Sequence, residues 1–210
     1  MPTDNKVLTL RQRQREKTRE LVLNAAIEVF ARAGFEAASL ADIAAKAGVK
    51  KALVQYHFST KYRLWKDAAA RLWSERNARL EAFYASSLED DLHQRMRGGF
   101  TVLVTFTREN PQWLWFMFHE AAANGERGKW LIDNFIRRDY VLGQAFVIEY
   151  QRAGLMREGS ALHLLHLISG ALTYNLLVAP LTLQATNTDL STEASIAEQV
   201  ELLQRLLLVE

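Results

Sequence analysis

The chain has 210 residues, of which 49% are hydrophobic, so it is long and apolar enough to bury a substantial core. Because it contains no cysteine, disulfide bonds, thiolate metal sites and cysteine nucleophiles are excluded. The net charge of +2 is unevenly distributed: residues 1–66 carry 13 Lys and Arg against 6 Asp and Glu, whereas residues 67–210 carry 13 against 18. A basic N-terminal part suits a polyanion, and an acidic remainder suits solvent, a partner chain or a small ligand.

No membrane-spanning segment is expected. The longest apolar runs, such as those at 164–169 and 176–183, fall short of the roughly 20 residues that a bilayer span needs. The N-terminus has no apolar stretch after its charges, so a secretory signal is not expected either. Together with the lack of cysteine, this pattern predicts a cytoplasmic protein with no membrane partner.

The chain begins with a polar segment, residues 1–15, in which Arg11, Arg13 and Arg15 alternate with Gln. We interpret this segment as a flexible basic arm. A solvated tail and an arm that touches DNA phosphates or a minor groove are both compatible with its composition.

Three short helices are predicted next. Apolar residues at helical spacing indicate a first helix from Glu16 to a stop at Gly34. A second helix is expected between Ser39, a good N-cap, and Gly48, and a third follows in which Leu53 is predicted to face the core. Two short helices joined by a tight turn with glycine at its mouth are typical of a helix-turn-helix, whose second helix enters the major groove of DNA.

The stretch GVKKALVQYHFSTKYRLW combines many aromatic rings with many positive charges. Lys50 and Lys51 lead the third helix, where they can reach a phosphate or a guanine edge. Further donors follow at the end of this helix and the start of the next, where a DNA backbone would run: Gln55, Tyr56, His57 and Lys61.

The segment AAIEVFARAGFEAASLADIAAKAGV, together with YHFSTKYRLW, resembles the TetR family of bacterial transcriptional regulators. The resemblance implies an all-α homodimer, with an N-terminal three-helix helix-turn-helix domain and a larger helical ligand-binding and dimerisation domain. It also implies a palindromic DNA operator and a small-molecule effector that releases it. Carried over by position, the groove-facing residues are Lys50, Lys51, Ala52 and Gln55. The phosphate-facing residues are Ser39, Tyr56, His57 and Lys61.

We therefore divide the chain into the arm (1–15), a helix-turn-helix domain (16–60) and a ligand-binding and dimerisation domain (61–210). A long helix at 61–86 links the two domains, and five more helical patterns follow at 90–109, 111–124, 126–153, 160–184 and 192–209. The last two carry apolar faces that suit either a four-helix dimer contact or ordinary core. These faces are Leu162, Leu165, Ser169 and Leu172, with Gly170 and Ala171, and then Ile196, Val200, Leu203 and Leu207.

The segment NPQWLWFMFHEAAANG places Trp113, Phe116, Met117 and Glu120 on one helical face. This face could line a pocket for an aromatic or amphipathic ligand, with Glu120 as a polar anchor, or its rings could be core. Further ligand-binding candidates lie on later helices: Tyr150, His166, Tyr174 and Asn175.

An enzyme is not expected. A metal site would have to combine His163 and His166 with His119 and Glu120, but the paired Glu-x-x-His pattern of di-iron bundles is absent. The sequence also lacks a Gly-rich phosphate loop and a Gly-x-Ser-x-Gly turn. We predict no catalytic residue, metal or cofactor, and a DNA-binding repressor released by a small molecule. A DNA-binding dimer without an effector is the alternative.

Overall fold

The computed structural model describes residues 9–209 of the chain. The described part is built from helices, which confirms the prediction of an all-α fold. The helices are α1 (Leu10–Ala37), α2 (Leu40–Ala47), α3 (Lys51–His57), α4 (Lys61–Ser86), α5 (Leu92–Glu109), α6 (Gln112–Ala123), α7 (Glu126–Leu131), α8 (Arg137–Arg152), α9 (Ala161–Thr186) and α10 (Glu193–Leu207), and a π-helical turn, Ile132–Ile136, joins α7 to α8.

The first helix begins earlier than the sequence pattern indicated. Thr9 and Gln12 form a capping box, in which the backbone N–H of each residue donates to the side chain of the other. This cap starts α1 at Leu10, so residues 10–15 of the expected flexible arm are helical. Residues 1–8 of that arm lie outside the described residues.

The expected start and end of the second helix are confirmed, whereas Gly34 interrupts the first helix without ending it. Gly34 has φ +71° and interrupts α1, and a last turn continues to Ala37. A Cβ at Gly34 would lie 3.3 Å from His119 Nδ1, so both the backbone conformation and the packing favour glycine there. The side chain of Ser39 caps α2, and Gly48 ends it in the left-handed conformation.

The prediction that Leu53 faces the core is wrong. Val54 is fully buried in α3 and Phe58 directly follows the helix in the same core, whereas Leu53 is 40% exposed. Val54 and Phe58 are four residues apart and so share the inner face, while Leu53 is rotated by about 100° from Val54. The helix boundary at Lys51 and the packing against α1 and α2 decide which face turns inward.

One hydrophobic core unites the first three helices with α4, α6 and α7. Phe116 of α6 stacks on Trp65 of α4, with ring centroids 5.9 Å apart, and meets Phe30 of α1 edge-on at 6.3 Å. All three rings are almost fully buried. The boundary that we drew between residues 60 and 61 therefore runs through a continuous core.

A second core is formed by α5, α8, α9 and α10. It buries the apolar face of α10 that we considered for dimer contact, namely Ile196, Val200, Leu203 and Leu207, and it also buries Leu172 of α9. These residues are thus core of their own chain, which was the alternative interpretation. A different stripe of α9 remains exposed, formed by Leu167, Tyr174 and Leu181 at seven-residue spacing.

Within residues 9–209, α9 is the one helix that is long and apolar enough to cross a bilayer by length and composition. It contains no Asp, Glu, Lys or Arg, and its apolar runs are interrupted by uncharged polar residues, histidine, glycine and proline. Each uninterrupted apolar run is therefore shorter than a bilayer span, although the mean hydropathy along the helix is high. The helix packs against α5, α8 and α10 on one side, and its exposed stripe lies outside those contacts.

Lys61, the first residue of α4, ties that helix to the end of α1. Its ammonium donates to the carbonyl oxygens of Phe35 (2.7 Å), Ala38 (3.0 Å) and Glu36 (3.3 Å). The ammonium also lies 4.3 Å from the ring centroid of Phe35. A Lys ammonium has three N–H groups, so three carbonyls at the end of α1 satisfy all of them.

We expect Lys61→Met to lower the free energy of unfolding by about 2 kcal/mol, because charge-assisted hydrogen bonds to carbonyls left without helical partners are lost. Lys50→Met is the matched control, since Lys50 is exposed and forms no ion pair within residues 9–209. We expect the control to change stability by less than about 0.5 kcal/mol. Urea unfolding followed by circular dichroism measures both, and equal stabilities of the two variants would contradict this role.

Candidate nucleic-acid interface

The outer face of α3 is open to solvent. Lys51, Ala52, Gln55 and Tyr56 are all exposed on this helix, and Lys50 precedes it as an exposed N-cap. Neither lysine forms an ion pair with any residue in the described part of the chain. The groove-facing set predicted from the sequence is therefore exposed along one short helix, with two unneutralised positive charges at its N-terminal end.

Ser39 serves as a helix cap within the protein. Its Oγ accepts from the backbone N–H of Asp42 (3.1 Å) and donates to Asp42 Oδ2 (2.7 Å). The only proton of the hydroxyl is thereby used internally. A phosphate contact from this side chain would have to replace the bond to Asp42.

Tyr56 and His57 lie side by side at the end of α3, with ring centroids 5.2 Å apart. Tyr56 is 67% exposed, and the guanidinium carbon of Arg15 is 5.6 Å from its ring centroid. Burial, and then the charges of Arg15 and Arg19, lowers the pKa of His57 below its usual value. His57 is therefore neutral at pH 7 in the free protein, and a phosphate nearby would favour its protonated form.

Lys61 occupies a different position from the one expected of a phosphate-binding residue. All three of its N–H groups are directed at the end of α1, as described above. A phosphate contact from Lys61 would require at least one of those bonds to break. In this structure, Lys61 fixes the start of α4 relative to the end of α1.

The face of α6 that we considered as a ligand pocket packs into the first core. Trp113 and Phe116 are buried, and Met117 packs against the same cluster. Trp113 Nε1 donates to Thr107 Oγ1 (3.2 Å), and its ring meets Trp73 edge-on at 6.0 Å. In this structure these rings are core, which was the alternative weighed from the sequence.

The other ligand-binding candidates are not brought together with α6. Tyr150 is buried in the second core, where its hydroxyl donates to the Leu92 carbonyl oxygen (2.6 Å). His166 is exposed on α9 against Tyr140 of α8, with ring centroids 5.6 Å apart. Tyr174 lies in the exposed stripe of α9 and Asn175 is half-buried beside it.

Two open depressions are present on the surface of the protein, away from α1–α3. One, of about 370 Å³, is lined by residues of α5 and the C-terminal end of the chain, including His93, Arg97 and Glu201. The other, of about 380 Å³, lies beside the α8–α9 connection and includes Arg152 and Glu158. Neither contains any ligand-binding residue proposed from the sequence, and no cluster of three metal-ligating side chains occurs within residues 9–209.

A long-range ion pair joins the helix-turn-helix to the helical body (α4–α10), and no local pattern along the chain predicts it. Arg127 of α7 donates to Glu120 Oε1 (2.9 Å) on α6 and to Glu36 Oε1 (3.0 Å) at the end of α1. The guanidinium carbon lies 4.2 Å from the ring centroid of Phe35. His119 contributes a further contact, with Nε2 3.0 Å from the Ala31 carbonyl oxygen.

Arg127, Glu120 and Glu36 form what we call the Arg127 junction, and Glu120 is its most deeply buried member. Its side chain is only 3% exposed, and Arg127 is the one cation paired with it in the described part of the chain. Its Oε2 atom is buried and has no hydrogen-bond partner there. A buried carboxylate needs such a counter-charge, so Glu120 fixes Arg127, and Arg127 in turn reaches the end of α1.

Comparison with known protein families identifies the N-terminal part. Residues 22–68 match the model of the family described as bacterial regulatory proteins, tetR family. The match covers the buried half of α1, all of α2 and α3, and the start of α4. The resemblance to this family that the sequence motifs indicated is confirmed over those residues. No curated protein matches the chain.

Solved structures of similar fold cover almost the whole chain. HlyIIR, a hemolysin II transcriptional regulator, has 20% identity and a TM-score of 0.71, covering 93% of this chain and 99% of its own. A linker-substituted HlyIIR mutant has 22% identity and a TM-score of 0.73, covering 93% and 100%. A tetR-family transcription regulator from Shewanella sp. PV-4 has 18% identity and a TM-score of 0.63, covering 92% and 99%. At these identities the likeness establishes the fold, including an N-terminal helix-turn-helix.

We expect Arg127→Met to lower the free energy of unfolding by about 3 kcal/mol, because it leaves the buried carboxylate of Glu120 without a counter-charge. The double variant Arg127→Met/Glu120→Gln removes that charge and should recover part of the loss. Arg137→Met is the control, since the Arg137–Asp133 pair is exposed. Urea unfolding of the four proteins measures this, and a double variant no more stable than Arg127→Met would refute the assignment.

Proposed function

We propose that the chain is a sequence-specific DNA-binding transcriptional regulator that acts in the cytoplasm as a homodimer. The observation that carries this proposal is the exposed face of α3, inside the segment that matches the tetR family. Gln55 and Tyr56 are exposed there, and Lys50 and Lys51 form no ion pair in the described part of the chain. A short helix with two unpaired lysines at its N-terminal end, Lys50 and Lys51, suits entry into a major groove. The surplus of positive charge in residues 1–66 suits the surrounding phosphates.

A second copy of the chain is the proposed occupant of the exposed stripe of α9. Leu167, Tyr174 and Leu181 are between 62% and 68% exposed and recur every seven residues. A stripe of this period on a helix without charged residues suits packing against an equivalent helix. Gly170 lies between them, and no atom lies within 4 Å of a Cβ built there, so a partner helix could approach closely.

We further propose that the regulator is a repressor that leaves its operator when a small molecule binds to the helical body. The shared core and the Arg127 junction support this, because α6 and α7 contact the end of α1 directly. A displacement of α6 would therefore also displace the helix-turn-helix. Paired half-sites about 34 to 36 Å apart tolerate little change in the separation of two recognition helices.

Selection of bound duplexes from a random DNA pool with the purified full-length chain tests the DNA-binding proposal. We expect a palindromic sequence to be enriched, with affinity that falls steeply with salt. If a folded sample enriches no sequence, mass spectrometry of that sample distinguishes two cases. A co-purified small molecule would indicate a protein held off DNA by its effector, and its absence would count against DNA binding.

Variants of α3 should separate base reading from backbone contact. Lys51→Ala is expected to relax sequence preference at one position of each half-site, by about 1–3 kcal/mol of discrimination. Tyr56→Phe removes a hydroxyl donor and should weaken binding to all sequences alike. Repeating the selection with each variant measures this. An unchanged preference and affinity in both variants would show that α3 is not the recognition helix.

Charged substitutions in the α9 stripe should separate the two copies. Leu167→Glu and Leu181→Glu are each expected to convert a dimer into a folded monomer, because each buries an unpaired carboxylate in the proposed contact. Leu88→Glu is the control, since Leu88 is 71% exposed in the α4–α5 connection. Sedimentation equilibrium measures the masses. A wild-type monomer, or a variant dimer, would exclude this contact.

The effector proposal is tested by thermal denaturation in the presence of a panel of small molecules. A compound that binds the native state raises the melting temperature by mass action. It should also lower affinity for the selected duplex. A compound that stabilises the protein and leaves DNA affinity unchanged would argue against release by that compound.

A further inference from the structure

The N-terminal turns of α1 form an ordered basic helix. The capping box at Thr9 fixes the start of this helix, so Arg11 and Arg15 project from regular helical backbone. At about 100° per residue, both lie within roughly 60° of Thr18, which is buried. Arg11 and Arg15 therefore continue the inward-facing stripe of α1 beyond the point where the core ends.

This stripe leads to the end of α3. The guanidinium carbon of Arg15 is 5.6 Å from the Tyr56 ring centroid, and that of Arg19, one turn later, is 5.0 Å from the Phe58 ring centroid. The start of α1 thus lies beside the exposed Tyr56 and the half-buried His57. On the opposite side of the helix, Arg13 and Lys17 point away from these contacts.

Of the arginines along this stripe, Arg19 is neutralised by a carboxylate, whereas Arg11 and Arg15 are not. Arg19 pairs with Asp67, with its Nη2 2.7 Å from Asp67 Oδ2. Arg11 and Arg15 are exposed and pair with no carboxylate in the described part of the chain. Arg15 lies close enough to His57 that its charge, after burial and together with that of Arg19, lowers the pKa of His57.

We propose that the start of α1 belongs to the DNA-binding surface, where Arg11 and Arg15 contact phosphates flanking the base pairs that α3 reads. The proposal rests on the DNA-binding function proposed above. The free guanidinium group of Arg15 beside Tyr56, with that of Arg11 one helical turn earlier, forms a site for a polyanion backbone at the end of a recognition helix. The contact is independent of base sequence, so it strengthens binding without altering the operator.

The test compares Arg11→Ala/Arg15→Ala with Arg13→Ala/Lys17→Ala in the full-length chain. Both variants lose two positive charges from the same helix segment, and Ala preserves the helix. The probe is the duplex selected by the wild-type protein, and the measurement is the slope of log affinity against log salt concentration. Circular dichroism confirms that both variants remain folded.

Each lost phosphate contact should reduce the slope by about 0.9, so the Arg11/Arg15 variant should lose nearly 2 and the control less than half of that. Arg11→Lys/Arg15→Lys should keep a slope near that of the wild type, because it retains both charges. The sequence selected by the Ala variant should be unchanged.

Equal slopes for the wild-type protein and the Arg11/Arg15 variant would overturn this assignment and leave the DNA-binding proposal intact. The same conclusion would follow if both double Ala variants lost slope equally, because the effect would then be one of net charge. A wild-type protein that selects no duplex would overturn DNA binding itself, and this assignment with it.

Discussion

The aromatic contact between α1, α4 and α6 is the constraint on which the rest of the structure depends. Phe116 fills the space between Phe30 and Trp65, and the three rings are almost fully buried. Removal of this apolar area from water is a large favourable term for a domain in which α2 and α3 are short. The helix-turn-helix is therefore stable as part of a larger core, and its orientation follows that of α6.

Polar contacts at the edge of this core fix the angle between the two parts. Lys61 satisfies carbonyls where α1 ends, and Arg127 joins that same end to the buried Glu120. Such contacts add less free energy than the rings do, but they are directional. Together with the close approach of His119 to Gly34, they allow one arrangement of α6 against α1. The orientation of the helix-turn-helix is thereby coupled to that of α6 and α7.

The same chain also leaves one strongly apolar surface without a partner. The second core uses one side of α9, and Leu167, Tyr174 and Leu181 remain on another. The basic N-terminal part leaves free charges at the start of α1 and along α3. An apolar stripe at one end and a basic surface at the other suit two different kinds of partner, a second copy of the chain and a polyanion.

The sequence by itself determined most of the helices and the segment that matches the tetR family, because these depend on local chemistry. Ser39 and Gly48 mark the ends of α2 through capping and a left-handed backbone, and helical periodicity located the outer bounds of the later helices to within about two residues. It did not show that a π-helical turn divides the segment 126–153. Which face of each helix turns inward was decided only by the tertiary structure. Val54 rather than Leu53 is buried, and Trp113 fills a core rather than a pocket, because several faces of these helices are apolar.

Tertiary structure also decided the partners of the charged side chains. The position of Lys61 in the motif predicts a phosphate contact. In the structure, its ammonium instead donates to carbonyl oxygens more than twenty residues away in the chain. Arg127, Glu120 and Glu36 come together from three elements, and no spacing along the chain encodes that meeting. Local patterns specify helices and caps, whereas long-range pairing depends on how the packed helices cross.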